Sequence, residues 1–378
     1  MKVGTLIVGA GPAGSACGIR LRQAGVDCMV VDKQVFPRTK LCAGLFTHKS
    51  QDCLRNLIRE EKYAECLRFA HANEERHFAL YNGMSLMVDV QPDEPITLLS
   101  RPLFDEWMVQ HFVSLGGRFR DGSELIGIDI EHSVAHFRSM DVEYDFLVAA
   151  DGANSTVERI VAKQYPKSFI RKHHSAMCIE VNVSREDLNL EGVNIYFNYA
   201  PDTYAWAFSK GPEVCLGIGK LADKHFDVNA AMRRFLSDLN VKHIERYPLR
   251  GAMLPIGNYL TRPSFSNILF VGDAAGFVEP LTAEGIYYAM QSGVTAAESI
   301  VNNDGVAALT YDRRTVPLKR LIDKGAYYQQ LLGKPWAARF FYRNAHKHPD
   351  FIKHFYTTQI EHACLDSFPK IIFKYITQ

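Results

Sequence analysis

The hydrophobic pattern at the start of this chain predicts a strand, a helix and a second strand. Residues 3–8 form a short apolar run that ends just before Gly9, which is typical of a buried strand. A helix-prone stretch follows through Leu21, and a second β-prone run covers residues 27–31. Residues 1–33 are therefore expected to form a β-α-β unit.

Beyond this unit, helical and extended patterns alternate along the chain. Residues 34–49 carry proline, glycine and basic residues, and we expect them to form a loop. Helical periodicity predicts helices over 50–68, 101–115, 227–240 and 285–301. Apolar runs and alternation predict strands within 76–99, 118–150, 174–220 and 262–272. This mixture of elements predicts an α/β fold.

Composition and charge indicate a globular protein without a polyanionic partner. Of the 378 residues, 47% are hydrophobic and 22% are charged, which is typical of soluble domains and allows about two of them. The net charge of +1 argues against nucleic acid as a partner. The apolar N-terminal segment is interpreted as the first strand rather than an export signal, and no run of about 18 apolar residues predicts a membrane span. We therefore expect a cytoplasmic location.

The cysteines predict neither a metal site nor a disulfide framework. None of the eight forms a C-x-x-C pair, so a structural zinc site or an iron–sulfur cluster is unsupported. In a cytoplasmic protein most of them are expected to be reduced and buried. They occupy positions 17, 28, 42, 53, 66, 178, 215 and 364.

The turn between the first strand and the first helix has a phosphate-binding pattern, G-x-G-x-x-G, at Gly9, Gly11 and Gly14. These glycines permit a tight turn, close approach of the backbone to a pyrophosphate, and close packing of helix on strand. The helix N-terminus adds free N–H donors and the positive end of the helix dipole. Asp32, which ends the second strand, can accept a hydrogen bond from a ribose hydroxyl. This order of features predicts a cofactor that contains ADP.

Two later segments also place an acid directly after a strand. Asp151-Gly152 follows the strand pattern at 144–150, although Asp-Gly in this position is usually only a turn. The segment 271–286 places Asp273 ahead of a loop that opens a helix, which suits a polyhydroxylated chain and a developing anion. Because cofactor-type segments occur at three places, the cofactor domain is expected to be discontinuous, with a strand-rich domain inserted.

In this order the motifs resemble those of flavoproteins that have a single dinucleotide motif and the para-hydroxybenzoate hydroxylase fold. Over residues 3–330 the chain is most similar to the geranylgeranyl reductases. The resemblance implies a Rossmann-like FAD-binding domain, an inserted mixed or antiparallel β-sheet domain for the substrate, and a helical C-terminal region. The expected boundaries are 1–75, 96–165 and 262–325 for FAD, 76–95 and 166–261 for the substrate sheet, and 326–378 for a helical cap.

The resemblance also implies which residues hold FAD. Arg101, within R-x-x-F-D, would approach FAD, and Asp273 would bind the ribityl chain. Two positions depart from the family pattern: Ala283 replaces the first glycine of the loop beside the isoalloxazine, and Glu158 stands where arginine is common. The implied FAD-binding residues are Gly9, Gly11, Pro12, Ala13, Gly14, Asp32, Lys33, Lys40, Cys42, Ala43, Gly44, Arg101, Asp151, Gly152, Gly272, Asp273, Pro280, Thr282, Gly285 and Ile286.

Two segments favour the reductase branch over the hydroxylases of the same fold. Residues 38–44 resemble the reductases' K-x-C-G-G stretch, with Ala43 as a departure, and residues 204–210 resemble Y-x-W-x-F-P-K, with Ser209 in place of proline. The candidate catalytic residues are therefore Cys42, Tyr204 and Trp206. The alternative interpretation is that the cysteine is a buried apolar residue and that the two aromatic residues only pack the core of the sheet.

The implied activity is saturation of isoprenoid C=C bonds in a lipid, a quinone tail or a prenyl diphosphate, by hydride from reduced FAD. The chain has no second G-x-G-x-x-G motif, so either NAD(P)H docks transiently or another electron donor reduces the flavin. The first alternative is a flavin monooxygenase that acts on an aromatic or polyketide-like substrate. A non-catalytic flavin-binding protein is a further alternative, while a halogenase and a nicotinamide dehydrogenase fit the motifs less well.

The C-terminal segment, residues 326–378, is rich in aromatic and basic residues. One interpretation is a helical cap packed on the sheet domain. The other is a peripheral contact with the inner face of the membrane, or an entry element for a lipid. The sequence leaves the oligomeric state open.

Overall fold

Two large β-sheets and the helices around them form the structure, a computed structural model. It describes residues 1–171, 175–201, 203–221, 225–302, 305–334, 336–337, 339, 343 and 347–357. The α/β fold with a Rossmann-like unit and a second sheet is confirmed. The C-terminal region contains helices within the described residues, whereas Cys364 and residues 358–378 lie outside them.

The first sheet has eight strands and carries the predicted β-α-β unit. Its strands are β1 (Lys2–Val8), β2 (Cys28–Val31), β7 (Arg118–Arg120), β8 (Leu125–Asp129), β9 (Val134–Phe137), β10 (Asp141–Ala149), β16 (Ser264–Phe265) and β17 (Ile268–Phe270). The order is β16-β17-β10-β1-β2-β7, and β9 pairs with both β10 and β8. Strands β17, β10, β1, β2 and β7 are parallel, so their carboxyl ends lie along one edge.

The second sheet has seven strands, drawn from two separate parts of the chain. They are β4 (Phe78–Asn82), β5 (Ser85–Val90), β11 (Ala176–Ser184), β12 (Val193–Phe197), β13 (Ala205–Lys210), β14 (Glu213–Leu221) and β15 (Arg250–Leu254). The order is β15-β11-β14-β13-β12-β4-β5, antiparallel except for the parallel pair β12–β4. A small antiparallel pair, β3 (Asn73–Glu75) and β6 (Ile96–Leu98), lies apart from both sheets.

Eleven α-helices are present within the described residues. They are α1 (Pro12–Gln23), α2 (His48–Leu57), α3 (Glu60–Phe69), α4 (Arg101–Ser114), α5 (Thr156–Gln164), α6 (Val228–Asp238), α7 (Gly272–Ala275), α8 (Ile286–Val301), α9 (Ala307–Arg314), α10 (Val316–Leu332) and α11 (Pro349–Phe355). Short 3₁₀ turns occur at Pro166–Ser168 and Ile244–Arg246. Within the described part of the chain, no helix is both long enough and apolar enough to cross a bilayer.

Two predictions of a single element were wrong, because the structure divides each of these segments into two elements. The helix expected over 50–68 is interrupted because Ile58 is extended and buries its side chain in the core, which separates α2 from α3. The strand expected over 262–272 is broken by a turn in which Ser266 has a φ of 51°. In both cases a tertiary contact or a tight turn overrides the local pattern.

Close glycine contacts fix the position of α1 on the first sheet. A Cβ atom at Gly14 would collide with the carbonyl oxygen of Gly9, and one at Gly293 in α8 would collide with that of Ala13. Helix α1 therefore packs tightly between β1 and α8. This packing holds the N-terminus of α1 at the carboxyl edge of the parallel strands.

The second sheet has one face packed on a helix and one face open to a cavity. Ala205, Ala207 and Leu216 belong to a core shared with Phe235 of α6. The alternate positions of the same strands, such as Trp206, line the cavity. This alternation follows from the twofold repeat of side chains along a strand.

Candidate active site

A cavity of about 1740 Å³ is lined by residues of both sheets. From the first sheet come the ends of β1 and β2, and from the second come the inner-face residues of β11 to β13. All of the predicted site residues line this cavity except Gly14 and Gly272. Gly14 lies beneath it in the contact of α1 with β1, and Gly272, with a φ of 55°, packs against Ala13.

The glycine-rich turn has the geometry that its sequence predicts. Gly9 has a φ of 106°, and a Cβ atom there would collide with the Ala150 carbonyl oxygen. Pro12 begins α1, where its missing N–H is of no consequence. Asp32 is buried; its Oδ2 accepts from Ala10 N at 2.8 Å and its Oδ1 from Gln34 N at 2.9 Å. This carboxylate therefore also holds the turn together.

A buried carboxylate between two arginines lies beside this turn. Asp105, with no exposed surface, accepts from Arg101 Nε at 3.0 Å and Nη2 at 3.2 Å. It also pairs with Arg38 Nη2 at 3.0 Å. Burial opposes the charge of Arg101, but Asp105 and then Cys42 outweigh it and raise the pKa of the guanidinium. Both arginines line the cavity.

Arg38 is a cofactor-binding candidate that the motif analysis missed. Its Nη2 would lie 3.3 Å from a Cβ atom at Gly11, so the guanidinium lies next to the N-terminus of α1. A helix N-terminus and an arginine together form an anion site that suits a pyrophosphate. The signal available in the sequence is that Arg38 belongs to the group of basic residues in the loop that follows the first β-α-β unit.

Asp151 offers an unused hydrogen-bond acceptor to the cavity. Its Oδ2 accepts from the backbone N–H of Thr156 at 2.7 Å and of Val157 at 3.1 Å, at the start of α5. Its Oδ1 is buried and has no hydrogen-bond partner among the described residues. Burial raises the pKa of Asp151. A hydroxyl-rich chain in the cavity would satisfy this oxygen, so the site fits an FAD-type ligand.

The departure at Glu158 is balanced by an arginine elsewhere in the chain. Arg171 Nε donates to Glu158 Oε1 at 2.7 Å, and its Nη2 pairs with the second carboxylate oxygen. The same guanidinium donates to the carbonyl oxygens of Asn258 and Ala274, each at 2.7 Å. Arg171 thus joins α5 to α7, the segment that carries Asp273. Arg171 could not be identified from the motifs, because it lies outside both the Asp151-Gly152 segment and the segment 271–286.

Asp273 stands at the start of α7 with a cation nearby. Its Oδ2 lies 3.8 Å from Lys40 Nζ, and its Oδ1 would lie 3.6 Å from a Cβ atom at Gly285. The preceding residue, Gly272, is fixed by a hydrogen bond from its N–H to Ser292 Oγ at 2.9 Å. The segment therefore presents a partly exposed carboxylate to the cavity.

The loop 279–286 is held by two buried glutamates. Glu279 accepts from Leu281 N at 2.9 Å, and from Thr282 N at 2.8 Å and Oγ1 at 2.6 Å, while burial raises its pKa. Glu284 accepts from Thr47 Oγ1 at 2.6 Å and pairs with Lys49.

Ala283 lies in this loop with a φ of 57°, a conformation that suits the glycine it replaces. The alanine thus stands at a backbone position where glycine is favoured.

Aromatic residues form the wall of the cavity on the second sheet. Tyr204 Oη donates to the Thr282 carbonyl oxygen at 2.8 Å, and burial raises the pKa of this phenol. The Trp206 indole covers Gly217 on β14, where a Cβ atom would collide with the ring. The two rings stand edge to face, with centroids 6.3 Å apart. The remaining apolar wall includes Phe78, Leu80, Val193, Ile195, Phe197 and Phe208.

Cys42 lies where the loop after β2 contacts the second sheet. Its N–H donates to Glu180 Oε1 at 3.1 Å, and its Sγ accepts from Gly44 N at 3.4 Å. Glu180 lies on β11, is 4% exposed and lines the cavity. Motif analysis missed it, although an acid within the apolar strand 176–183 is an available signal.

One side of the cavity is bordered by exposed aromatic residues of the C-terminal region. Tyr327 and Trp336 both line it, yet they remain 63% and 62% exposed. More buried apolar residues continue this border inward: Tyr328, Leu331, Phe351 and Tyr356. Other C-terminal aromatic residues, such as Phe368 and Phe373, lie outside the described residues.

Seven cysteines are free thiols in the described part of the chain. Over the same residues, no cluster of three or more His, Cys, Asp or Glu side chains is arranged to hold a metal ion. In the cavity, basic residues lie near the glycine turn and acids lie along the strand ends.

Comparison with known proteins places this geometry in context. The model of a family described as an FAD binding domain matches residues 2–303. A geranylgeranyl diphosphate reductase of Rhodobacter capsulatus is 28% identical over 309 residues, which cover 79% of this chain and 75% of the relative. A menaquinone reductase of Mycolicibacterium smegmatis is 26% identical over 329 residues, 81% of this chain and 78% of the relative.

The fold is also found in solved structures. A geranylgeranyl bacteriochlorophyll reductase-like protein from Thermoplasma acidophilum superposes with a TM-score of 0.74 and 19% identity, covering 88% of each chain. At this identity the likeness concerns the fold.

Proposed function

The chain belongs to the FAD-binding-domain family, among the FAD-dependent oxidoreductases related to the geranylgeranyl reductases, and we propose that it saturates isoprenoid C=C bonds. The observation that carries the proposal is the composition of the cavity. Dinucleotide-type groups occupy one side, and an aromatic, apolar wall on the second sheet occupies the other. An apolar wall beside a redox cofactor suits a hydrocarbon chain.

The FAD site in this proposal uses groups already arranged around the cavity. The N-terminus of α1 and Arg38 would hold the pyrophosphate, and Asp151 and Asp273 would accept hydrogen bonds from hydroxyls of the cofactor. The loop 279–286 would lie beside the isoalloxazine. When bound and reduced, FAD supplies a hydride equivalent.

The chemistry of an isolated alkene places a specific requirement on the substrate side of the cavity. An unactivated trisubstituted alkene does not stabilise an anion, so protonation of one carbon has to precede or accompany hydride transfer to the other. The chain must therefore exclude water, hold the alkene flat and provide a proton. The Trp206 indole and Phe208 provide apolar surface for the first two tasks.

The three candidate catalytic residues take different roles in this proposal. Tyr204 is a positioning residue, because its proton is already donated to the Thr282 carbonyl oxygen. Trp206 forms part of the wall against which the alkene lies. Cys42 has two possible roles, proton donor or part of the substrate-shaping wall, and a Cys42→Ser enzyme with unchanged turnover and product would exclude both.

The substrate class in this proposal is an isoprenoid lipid, a quinone tail or a prenyl diphosphate. The names of the relatives from Rhodobacter and Mycolicibacterium support a prenyl compound or a quinone. NAD(P)H or another electron carrier would reduce the flavin. A cytoplasmic protein that meets the membrane only at its surface would have access to lipid tails.

The exposed aromatic border supports such a surface contact. Tyr327 and Trp336 could insert into the interface of a bilayer while the cavity receives a lipid tail. In a flotation assay with anionic vesicles, the Tyr327→Glu/Trp336→Glu double variant should bind less protein than the wild type. Equal binding of the two proteins would exclude this contact.

The test of the proposed activity is a single anaerobic turnover. The FAD-loaded protein is reduced without oxygen and mixed with geranylgeranyl compounds that differ in head group, and flavin absorbance and product mass are followed. Flavin reoxidation together with a gain of two hydrogens establishes alkene reduction. A flavin that stays reduced with every compound and reacts only when oxygen is admitted would favour a monooxygenase.

A further inference from the structure

A buried carboxylic acid faces the cavity from a strand whose other inward positions are small or apolar. Ala176, Cys178 and Glu180 occupy alternate positions of β11 and line the cavity. Only 4% of the Glu180 surface is exposed. Across the sheet its partners in register are Gly217 on β14 and Arg250 on β15. Gly217 lacks a side chain, and the Trp206 indole lies over it, next to Glu180 on this wall.

Glu180 also touches the loop that is expected to lie beside the flavin. The Cys42 N–H donates to Glu180 Oε1 at 3.1 Å, and the Cys215 thiol is a second hydrogen-bond neighbour from β14. The carboxyl group therefore lies at the junction of the cofactor loop and the substrate wall. This is the region where an alkene would lie against the flavin in the proposed function.

Charged and titratable groups surround Glu180 on each element packed against it within the described residues. Lys40 and Cys42 face Glu180 from the loop after β2. The neighbouring strands contribute Lys210 on β13, Cys215 on β14 and Arg250 on β15. Cys178 lies on β11, the same strand as Glu180. Burial outweighs the opposing effects of Lys210, the Cys42 N–H, Cys215 and Lys40, and it raises the pKa of Glu180. A buried carboxyl group of this kind keeps its proton at higher pH than a free glutamate does.

The other candidate donors already have their hydrogens or lone pairs engaged. The Tyr204 hydroxyl donates to the Thr282 carbonyl oxygen. The Cys42 sulfur accepts from the Gly44 N–H and is also a hydrogen-bond neighbour of the Arg101 guanidinium. These two contacts tie the Cys42 sulfur to the loop, whereas Glu180 is the one carboxylic acid among the described second-sheet strand residues that line the cavity.

We infer that Glu180 is the catalytic proton donor of this cavity, an assignment that rests on the proposed alkene reduction. The Glu180 carboxyl O–H bond breaks as a C–H bond forms at one alkene carbon, and the other carbon receives hydride from reduced flavin. The alkene gains two electrons and two hydrogens, the flavin is oxidised, and Glu180 is left as a carboxylate beside Lys210 and Lys40. Solvent then returns the proton to Glu180 between turnovers.

The experiment compares Glu180→Gln with the wild type in the FAD-loaded, full-length protein. Glu180→Gln should slow substrate-driven flavin reoxidation by about 100-fold or more, because a general acid contributes that much. Reoxidation by ferricyanide needs no proton from the site and should be unchanged. The rate of flavin reoxidation in the wild type should fall as the pH rises through the pKa of Glu180. In Glu180→Gln this fall in rate should be absent.

Two further variants separate chemistry from folding. Glu180→Asp keeps an acid and should recover part of the lost rate. Glu186→Gln removes an exposed carboxylate just after the same strand and should behave as wild type. A Glu180→Gln enzyme that binds FAD and keeps both the wild-type rate and the wild-type pH profile would overturn the assignment.

A measurement without turnover keeps the two proposals distinguishable. Infrared spectra of the FAD-loaded protein, recorded over a pH titration, should show a protonated carboxyl band that persists above the pH at which a free glutamate loses its proton and that Glu180→Gln removes. If that band is missing from the wild type, Glu180 is not the acid, whatever the activity. If no isoprenoid compound reoxidises the wild-type flavin, the proposed function is wrong. The infrared band of the protonated carboxyl group then still decides whether Glu180 is a neutral acid.

Discussion

The Tyr204 hydroxyl donates a hydrogen bond of 2.8 Å to the carbonyl oxygen of Thr282, which joins the seven-stranded sheet to the segment that leads into α8. Tyr204 comes directly before β13, and Thr282 belongs to the loop 279–286. Both residues line the cavity, so this bond sets the distance between its two walls.

Replacing Tyr204 with phenylalanine should therefore loosen the contact between the two walls. We expect Tyr204→Phe to lower the free energy of unfolding by about 1–3 kcal/mol, because the Thr282 carbonyl loses a buried partner. Urea unfolding measures this difference. Tyr165→Phe, at a partly exposed tyrosine outside the cavity, is the matched control and should change little. Equal losses in the two variants would contradict the role given to the Tyr204 bond.

Asp273→Ala should weaken FAD binding. A carboxylate that accepts from a cofactor hydroxyl contributes about 1.5–3 kcal/mol, so Kd should rise by about 10-fold to 100-fold. Titration of the FAD-free protein, followed by flavin fluorescence, gives this value. Asp145→Ala, at an exposed aspartate on β10, should bind FAD as the wild type does. If Asp273→Ala keeps the wild-type Kd, the carboxylate does not contact the cofactor.

Gly14→Ala should destabilise the β-α-β unit. The added methyl group would meet the Gly9 carbonyl oxygen, a backbone atom that cannot move without shifting α1. We expect a loss of about 3 kcal/mol, together with a lower FAD content. Gly127→Ala on β8 is the control, since its Cβ atom would lie 3.5 Å from the nearest atom of His136. The glycine argument is wrong if both variants melt at the wild-type temperature.

Arg171→Ala should have a larger effect than the loss of a surface ion pair. It leaves Glu158 without its partner in a mostly buried setting and removes donors from two carbonyl oxygens. The expected loss of stability is about 3 kcal/mol. Arg138→Ala breaks the exposed pair with Glu124 and should lose no more than about 1 kcal/mol. Similar melting temperatures for the two variants would show that Arg171 does not stabilise the junction of α5 and α7.

The raised pKa of Glu180 predicts a pH-dependent stability of definite sign. The folded protein binds the proton of the Glu180 carboxyl group more tightly than the unfolded chain does, in which glutamate has a pKa of about 4.3. Stability should therefore fall as pH rises from that value through the folded pKa. Glu180→Gln removes this contribution, so its stability relative to wild type should increase with pH in urea titrations. Parallel curves for the two proteins would show that Glu180 titrates normally.

The parts of the fold that the sequence predicts well depend on local patterns. The β-α-β unit at residues 1–33 and helix α8 follow from periodicity and from glycines with defined steric roles. The break at Ile58 could not be predicted, because it depends on where that side chain finds space in the core. The seven-stranded sheet was expected from its strands, but their order depends on contacts between distant segments.

In the candidate site, too, the features that depend on local motifs were predicted and those that depend on long-range contacts were not. Motifs brought most of the implied FAD-binding residues to one cavity, because each motif stands at the end of a strand. Arg38, Arg171 and Glu180 were missed because their roles come from partners far away in the chain, which for Arg171 are the carbonyl oxygens of Asn258 and Ala274. Glu158 shows that a departure within a motif can be balanced by a residue outside it, such as Arg171.

The parallel pairing of β12 with β4 has a consequence for the order of folding. Val193 lies in register with Phe78, and the chain between them contains four of the eight strands of the first sheet, β7 to β10. Such a pairing closes a long loop, which is entropically unfavourable until the intervening segments are compact. Within the intervening chain, β8 pairs with β9 and β9 with β10 over short loops, so we expect these strands to become protected from hydrogen exchange earlier during refolding than β4 and β12. The aromatic wall of the cavity would then be completed only after the chain between β4 and β12 is compact.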